Sequence, residues 1–139
     1  MGIVLRLGTT HTNELIVEQE HTALAFGSGT VPVYATPCMI LHMEEAAANI
    51  VHPALPEEMS SVGTSVNIEH VAATPVGAKV EITAVLRRID GRRLYFEVEA
   101  SDDAGVIGKG THERVIVGVF DFMEKTNVRA GRLPEVVSE

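Results

Sequence analysis

The sequence has 139 residues, of which 45% are hydrophobic and 22% charged, so we predict one domain over residues 1–139. Eleven Lys and Arg against 19 Asp and Glu give a net charge of −8. This balance argues against nucleic acid, whose protein partners present a basic face. One cysteine excludes an intrachain disulfide and a cysteine-based zinc site. No secretory signal or membrane span is apparent, so we expect a cytoplasmic protein without membrane partners.

The segment from about Pro37 to Val51 is predicted to form a helix. Its apolar residues recur at spacings of three and four, and a run of alanines adds helix propensity. Thr36 is predicted as the N-cap with Pro37 at the first helical position, and Pro53 as the stop signal. Little of the circumference is polar, which is typical of a helix enclosed on several sides.

Four strand candidates follow the helix, near residues 62–70, 80–86, 94–100 and 115–120. In the first, Val62, Val66, Ile68 and His70 share one parity, so we expect all four side chains to face the helix.

Between the second and third strands, a loop over residues 89–91 with Gly91 left-handed is predicted, because it pairs Leu86 with Leu94 and keeps the apolar faces together.

This order of elements predicts an α+β fold in which a curved antiparallel sheet wraps around one long helix. One helix cannot cover both faces of such a sheet. A second copy that pairs through a sheet edge would cover the remainder, so we expect a homodimer or a higher homo-oligomer.

Glu44, His70 and Thr36 are the candidates for chemistry. Glu44 shares a helix face with apolar residues, whereas its neighbour Glu45 must point elsewhere, and a partly desolvated carboxylate is suited to general-base work. His70 ends a strand on the face toward the helix. Thr36 stands at the helix start, where a hydroxyl and free amides can serve an oxyanion.

Cys38 and His42 form a rival site one helical turn apart, although no third group that would orient them is apparent. No metal site is predicted, because the six histidines show no ligand spacing such as HExxH. Arg114, two residues after His112 on the last strand, is interpreted as structural or anion-facing. Phosphate-binding glycine loops are absent from the sequence, and no cofactor is expected.

Three separated blocks of the sequence resemble the fluoroacetyl-CoA thioesterase family of hot-dog-fold proteins. They are Val33-Tyr34-Ala35-Thr36-Pro37 leading to Met43-Glu44, then Gly63-Thr64 with Glu69-His70-Val71-Ala72-Ala73-Thr74-Pro75-Val76-Gly77, then Gly108-Lys109-Gly110-Thr111-His112-Glu113-Arg114. The resemblance covers most of the chain, in order and at the family spacing.

The resemblance implies a hot-dog fold, a dimer with active sites at its interface, and hydrolysis of an acyl-CoA thioester. It assigns the catalytic hydroxyl, carboxylate and imidazole to Thr36, Glu44 and His70, and a backbone contact with the substrate to Gly63. The fluoroacetyl-specific member carries a Phe in a lid before the helix. The matching stretch here, residues 27–32, is shorter and has no aromatic residue, and Thr30 stands nearest to that position.

Two other functions remain open at this point. One is a non-catalytic module that binds or senses acyl-CoA. The other is an enoyl-CoA hydratase-type enzyme on the same fold. Enzymes of the latter kind resemble this fold but use an Asp-His pair at a fixed strand spacing, which Asn67 and His70 do not provide.

Overall fold

The computed structural model describes residues 3–132, in which five strands form one antiparallel sheet around a central helix. The strand order across the sheet is β1-β3-β4-β5-β2. The strands are β1 (Thr10–Ile16), β2 (Met59–His70), β3 (Lys79–Asp90), β4 (Arg93–Asp102) and β5 (Gly105–Gly118). The helices are α1 (Ala23–Phe26), α2 (Thr36–Val51) and α3 (Val119–Arg129), with short 3-10 turns at Gln19–His21 and His52–Ala54.

Helix α2 supplies one side of the core, and the inner faces of β3 and β4 supply the other. Met39, Met43 and Val51 are fully buried, because the alternating apolar residues of both strands pack against them. The main buried strand residues are Val80, Ile82, Ala84, Leu86, Leu94, Phe96, Val98 and Ala100. The α+β prediction, with an antiparallel sheet packed on one long helix, is confirmed.

The predicted helix bounds hold to within a residue, but its cap was assigned wrongly. Thr36 is the first helical residue, and Ala35 is the N-cap without a side-chain cap bond. The hydroxyl of Thr36 bonds to His70 instead of to the helix backbone. The cap position therefore moved because a tertiary hydrogen bond replaced a local one.

The β3–β4 hairpin differs from the predicted register by two residues. Leu86 pairs with Phe96 rather than with Leu94, and a two-residue turn joins Asp90 to Arg93. Gly91 is left-handed as predicted, with φ 61°. A bulge between Leu86 and Arg88 restores the alternation of apolar side chains. The extra residue that keeps the apolar faces together therefore lies inside β3 and not in the loop.

Strand β2 also contains a bulge, which overturns the single-face prediction for it. The register shifts between Gly63 and Ser65, so Thr64 is the extra residue. Before the bulge Gly63 lies opposite Arg114, and after it Val66 lies opposite His112, both on the inner face. Val62 therefore faces away from the helix, since the alternation reverses at the bulge.

The final strand begins well before the predicted residues and ends two residues earlier than predicted, and a further helix follows it. Strand β5 ends at Gly118, and residues 119–120, predicted as strand, begin α3. This helix is amphipathic and exposed, and the prediction of a single helix is wrong because it omitted α3 and the short α1. Within residues 3–132, no helix is both long enough and apolar enough to cross a bilayer.

Candidate active site

The start of α2 brings Thr36 and His70 together. Thr36 lies in the first turn of the helix, and His70 is the last residue of β2. The Thr36 hydroxyl oxygen and Nδ1 of His70 are 2.7 Å apart. No backbone carbonyl in residues 3–132 accepts from the amides of Thr36 and Cys38, as is usual in the first turn of a helix. A hydroxyl, an imidazole and free amides thus share one corner of the molecule.

The second ring nitrogen of His70 is buried without a partner. Nε2 has no hydrogen bond in the part of the chain that the structure describes. Burial lowers the pKa of His70, so the ring is neutral at physiological pH. A surface cavity of about 340 Å³ lies against this ring, Thr36 and Tyr34, and residues 71–73 line its other side. A ligand in this cavity would satisfy a nitrogen whose isolation costs about 1–3 kcal/mol.

Glu44 lies on the same helix but away from this corner. Eight residues separate it from Thr36, which corresponds to about 12 Å along the axis at 1.5 Å per residue. Its side chain is 40% exposed, and one carboxylate oxygen lies 3.7 Å from Nη1 of Arg114. Glu45 is exposed, as the spacing predicted. Within one protomer the structure therefore joins Thr36 to His70 and leaves Glu44 in a second cluster.

Arg114 is buried beneath Glu44 and is fixed by hydrogen bonds. Its Nε donates to the Ser61 hydroxyl and its Nη2 to the Ser61 carbonyl, each over 2.9 Å. Nη1 donates to Nε2 of His112 over 3.2 Å. Burial lowers the pKa of Arg114, and the Glu44 carboxylate opposes that shift. The expectation that Glu44 lies in apolar surroundings is therefore wrong on one side, where its carboxylate faces the Arg114 cation.

Gly63 lies directly over the Glu44 carboxylate. A Cβ at this position would come within 2.5 Å of Oε2 of Glu44 and 3.1 Å of Cε1 of His112. The bulge at Thr64 turns Gly63 inward, so the missing side chain leaves room for the carboxylate. The predicted substrate-contact glycine thus belongs to the Glu44 cluster, not to the Thr36 corner.

Sequence reasoning did not assign His112 and Ser61 to this cluster and left Arg114 undecided. The available signal was the spacing of His112 and Arg114, since residues two apart on a strand share a face. Ser61 gives no such signal, because its partner lies 53 residues away in the sequence.

Thr30, predicted to contact substrate, is exposed in the loop before the helix and is not among the residues that line the cavity beside His70. Its role stays a prediction. The aromatic residue nearest to this loop is Phe26, at the end of α1 and 46% exposed.

The rival pair, Cys38 and His42, is not arranged as a reactive thiol. Sγ of Cys38 lies 4.0 Å from Nδ1 of His42, which is also hydrogen-bonded to the Tyr34 hydroxyl. Burial raises the pKa of Cys38 and lowers that of His42, so both side chains stay neutral near pH 7. This environment disfavours the thiolate that nucleophilic catalysis requires.

His21 joins this pair to form a cluster in which one ligand atom of each side chain lies within 4.8 Å of the others. Nδ1 of His21, however, accepts a hydrogen bond from the Glu18 amide, so its proton resides on Nε2. The Tyr34 hydroxyl similarly occupies His42. A metal ion would have to displace these bonds, so the cluster is better suited to packing than to metal binding.

A sheet of five antiparallel strands packed on one long helix also occurs in solved structures. A thioesterase superfamily member from Thermus thermophilus superposes with a TM-score of 0.82 and 32% identity, covering 92% of this chain and 97% of that one. The molecule is a hot-dog-fold protein of the thioesterase class.

The model of the family described as fluoroacetyl-CoA-specific thioesterase matches residues 17–119, and the chain belongs to that family. The fluoroacetyl-CoA thioesterase of Streptantibioticus cattleyicolor is 42% identical over 93 residues, 67% of each chain. A mutant fluoroacetyl-CoA-specific thioesterase solved with fluoroacetate and CoA is 35% identical, with a TM-score of 0.81 over 85% of this chain and 99% of that one. The resemblance seen in the sequence is thereby confirmed.

Proposed function

We propose that this protein hydrolyses a small acyl-CoA thioester, at a site that two protomers build together. Thr36 and His70 would come from one protomer and the carboxylate from Glu44 of the partner subunit. Two observations support this division. The family consists of thioesterases, and the spacing along α2 keeps Glu44 about two turns away from Thr36 in its own protomer.

The surface around these groups supports pairing of two copies. Strand β2 is twelve residues long and stands at the edge of the sheet, so its outer row of backbone groups is available to another strand. Leu41, on the helix that carries Glu44, and Val66, on the strand that carries His70, are 48% and 43% exposed. A twofold interface through β2 would cover them and bring each helix toward the opposite protomer.

In the proposed reaction a water oxygen bonds to the thioester carbonyl carbon, and the carbon–sulfur bond breaks. Glu44 either removes a proton from that water or attacks the carbon itself and is then released by water. Free amides at the start of α2, or the backbone near Gly63, stabilise the oxyanion. Neutral His70 donates a hydrogen bond from Nε2 to the departing CoA sulfur while Nδ1 accepts from the Thr36 hydroxyl, and the proton taken from water ends on the CoA thiolate.

The observation that carries this proposal is the His70 ring, which lines a cavity together with Thr36, is held at Nδ1 by the Thr36 hydroxyl and has no hydrogen-bond partner at Nε2 in the described residues. With Nδ1 held by Thr36, the proton of the neutral ring lies on Nε2, which has no partner in residues 3–132 and can donate a hydrogen bond to a ligand. No cofactor is needed for the chemistry. A cytoplasmic location and the absence of nucleic-acid partners stay predictions.

The experiment is a panel of short, branched and aromatic acyl-CoAs assayed with a thiol reporter. We expect CoA release from at least one short acyl-CoA, and a purified protein that sediments as a dimer or larger. Saturable binding of every ester without CoA release would overturn the proposal in favour of a non-catalytic acyl-CoA-binding module. Loss of enoyl-CoA absorbance without CoA release would indicate a hydratase.

A further inference from the structure

We infer that His112 is a positioning residue that holds the Glu44 carboxylate in place through the guanidinium of Arg114. The inference rests on the proposed function, since Glu44 is the carboxylate assigned there. His112 itself is 1% exposed, lies on the inner face of β5 and does not line the cavity beside His70. Its contribution would therefore pass through its neighbours.

The hydrogen bonds of His112 fix its tautomer from both sides. Nδ1 lies 2.8 Å from the Ser65 carbonyl, which can only accept, so Nδ1 carries the proton. Nε2 lies 3.2 Å from Nη1 of Arg114, which can only donate, so Nε2 carries the lone pair. The two contacts demand the same neutral form. The Phe96 ring stacks on the imidazole at 6.1 Å between centroids and restrains its plane.

The same nitrogen of Arg114 links His112 to Glu44. Nη1 donates to His112 and lies 3.7 Å from Oε2 of Glu44, while the other two nitrogens bond to Ser61. Ser61 holds Nε and Nη2 and His112 holds Nη1, so all three nitrogens of the planar guanidinium are bound and the group is fixed opposite the carboxylate. Loss of that acceptor would leave a buried N–H unpaired, and the guanidinium would shift to find another partner.

The bulge in β2 makes the arrangement possible. The extra residue, Thr64, offsets the strand so that the Ser65 carbonyl reaches the imidazole, while Gly63 leaves space for the carboxylate. Arg114 from β5 and Glu44 from α2 are the charged groups beside His112, while Glu113, the next residue of β5, points to the other face of the sheet and acts on the His112 pKa from there. Burial lowers the pKa of His112, and the adjacent Arg114 cation lowers it further, so the neutral acceptor persists at physiological pH.

Two substitutions separate the roles of the two ring nitrogens. H112Q keeps an acceptor near the position of Nε2, whereas H112N keeps only a donor near Nδ1. We expect H112N to lower kcat about 10–100-fold with little change in KM, because small displacements of a catalytic group are costly. H112Q should retain most of the activity. H11Q, which changes a half-buried histidine on β1, is the matched control and should leave kcat unchanged.

A double-substitution cycle shows whether the effect runs through Glu44. In the E44Q background, H112N should cause little further loss of kcat, because the carboxylate that it positions is already gone. A full additional 10–100-fold loss, or equal activity of H112N and H112Q, would overturn the inference. If H112N does not fold, S61A is the alternative, because it removes another hydrogen bond to Arg114 and should lower kcat several-fold. An S61A enzyme with unchanged kcat would overturn the inference.

Unfolding measurements distinguish this inference from the proposed function. The loss in urea midpoint caused by H112N should be smaller in the E44Q background than in the unaltered chain, since the three side chains form one network. This coupling requires no substrate. If no acyl-CoA is hydrolysed yet the midpoints are coupled, the proposed function fails and the positioning role stands. Additive midpoints would overturn the positioning role, whatever the activity.

Discussion

The two clusters on helix α2 are built in opposite ways. At the helix start, Thr36 and His70 share one hydrogen bond between neutral side chains at the surface. In the middle of the helix, the Glu44 carboxylate meets an Arg114 cation that is 9% exposed and fixed by three hydrogen bonds. The first cluster is open to a ligand, and the second is fixed before any ligand arrives. Under the proposed function, we expect the substrate to bind beside His70, and the Glu44 carboxylate of the partner subunit to be held in position before it binds.

The largest loss is expected from E44Q, because a general base contributes about 10²–10⁴-fold. We expect kcat for the best acyl-CoA to fall by at least that order, measured by thiol release. E45Q changes the adjacent exposed glutamate and is the matched control, with wild-type turnover expected. If E44Q and H70A both keep wild-type kcat, the assignment of the three residues is wrong.

Substitution of Gly63 tests the tight packing of the Glu44 cluster. G63A places a methyl group 2.5 Å from the carboxylate oxygen, which must then move. We expect kcat to fall about 10–100-fold, because misplaced catalytic groups are costly. G118A is the control, since a Cβ there meets no atom within 4 Å in the described part of the chain. Equal activities of G63A and G118A would show that the carboxylate position is unimportant.

A smaller effect is expected at Thr36, where one hydrogen bond is at stake. T36A removes the hydroxyl that orients His70, and a bond of about 1.5 kcal/mol corresponds to roughly a tenfold loss in kcat. T36S keeps the hydroxyl at the same helix position and should retain most of the activity. Similar losses in T36S and T36A would mean that the methyl group, not the hydroxyl, is what the site uses.

The smallest effect is on stability against pH. His42, His70 and His112 have pKa values lowered by burial, so between the folded and unfolded pKa values the unfolded chain binds more protons. The free energy of unfolding should therefore fall as pH drops below about 6.5 and be unaffected by these groups above it. Urea unfolding at pH 7.5 and pH 5.5 measures this. Equal stability at both would contradict the burial of neutral rings.

The fold and half of the candidate site followed from local patterns. The 3.6-residue period located α2, and strand alternation located the four strands that follow it. His70 was placed on the correct face, although by a parity argument that fails at Val62. Three bulges, one in β2, one in β3 and one between β4 and β5, could not be predicted from the sequence. The position of a bulge depends on the pairing with the partner strand, which local patterns do not show.

The Arg114 network could not be predicted, because it depends on one of those bulges. The residues of β5 that lie opposite Ser61 and Ser65 can be named only when the register of β2 is known. The shift at Thr64 decides which groups of the two serines face inward. Helix α3 was missed for a different reason. Its first residues, Val119 and Phe120, continue a β-branched and aromatic run, and Gly118 separates strand from helix without a capping side chain.

Subunit complementation tests the central claim most directly, namely that each site takes Thr36 and His70 from one protomer and Glu44 from the other. The inactive variants E44Q and H70A would be unfolded together in equal amounts and refolded. Half of the resulting dimers would be mixed, and each would hold one intact site of two, so we predict about a quarter of wild-type activity. A mixture no more active than the separate variants, in mixed dimers verified by mass, would contradict the shared site.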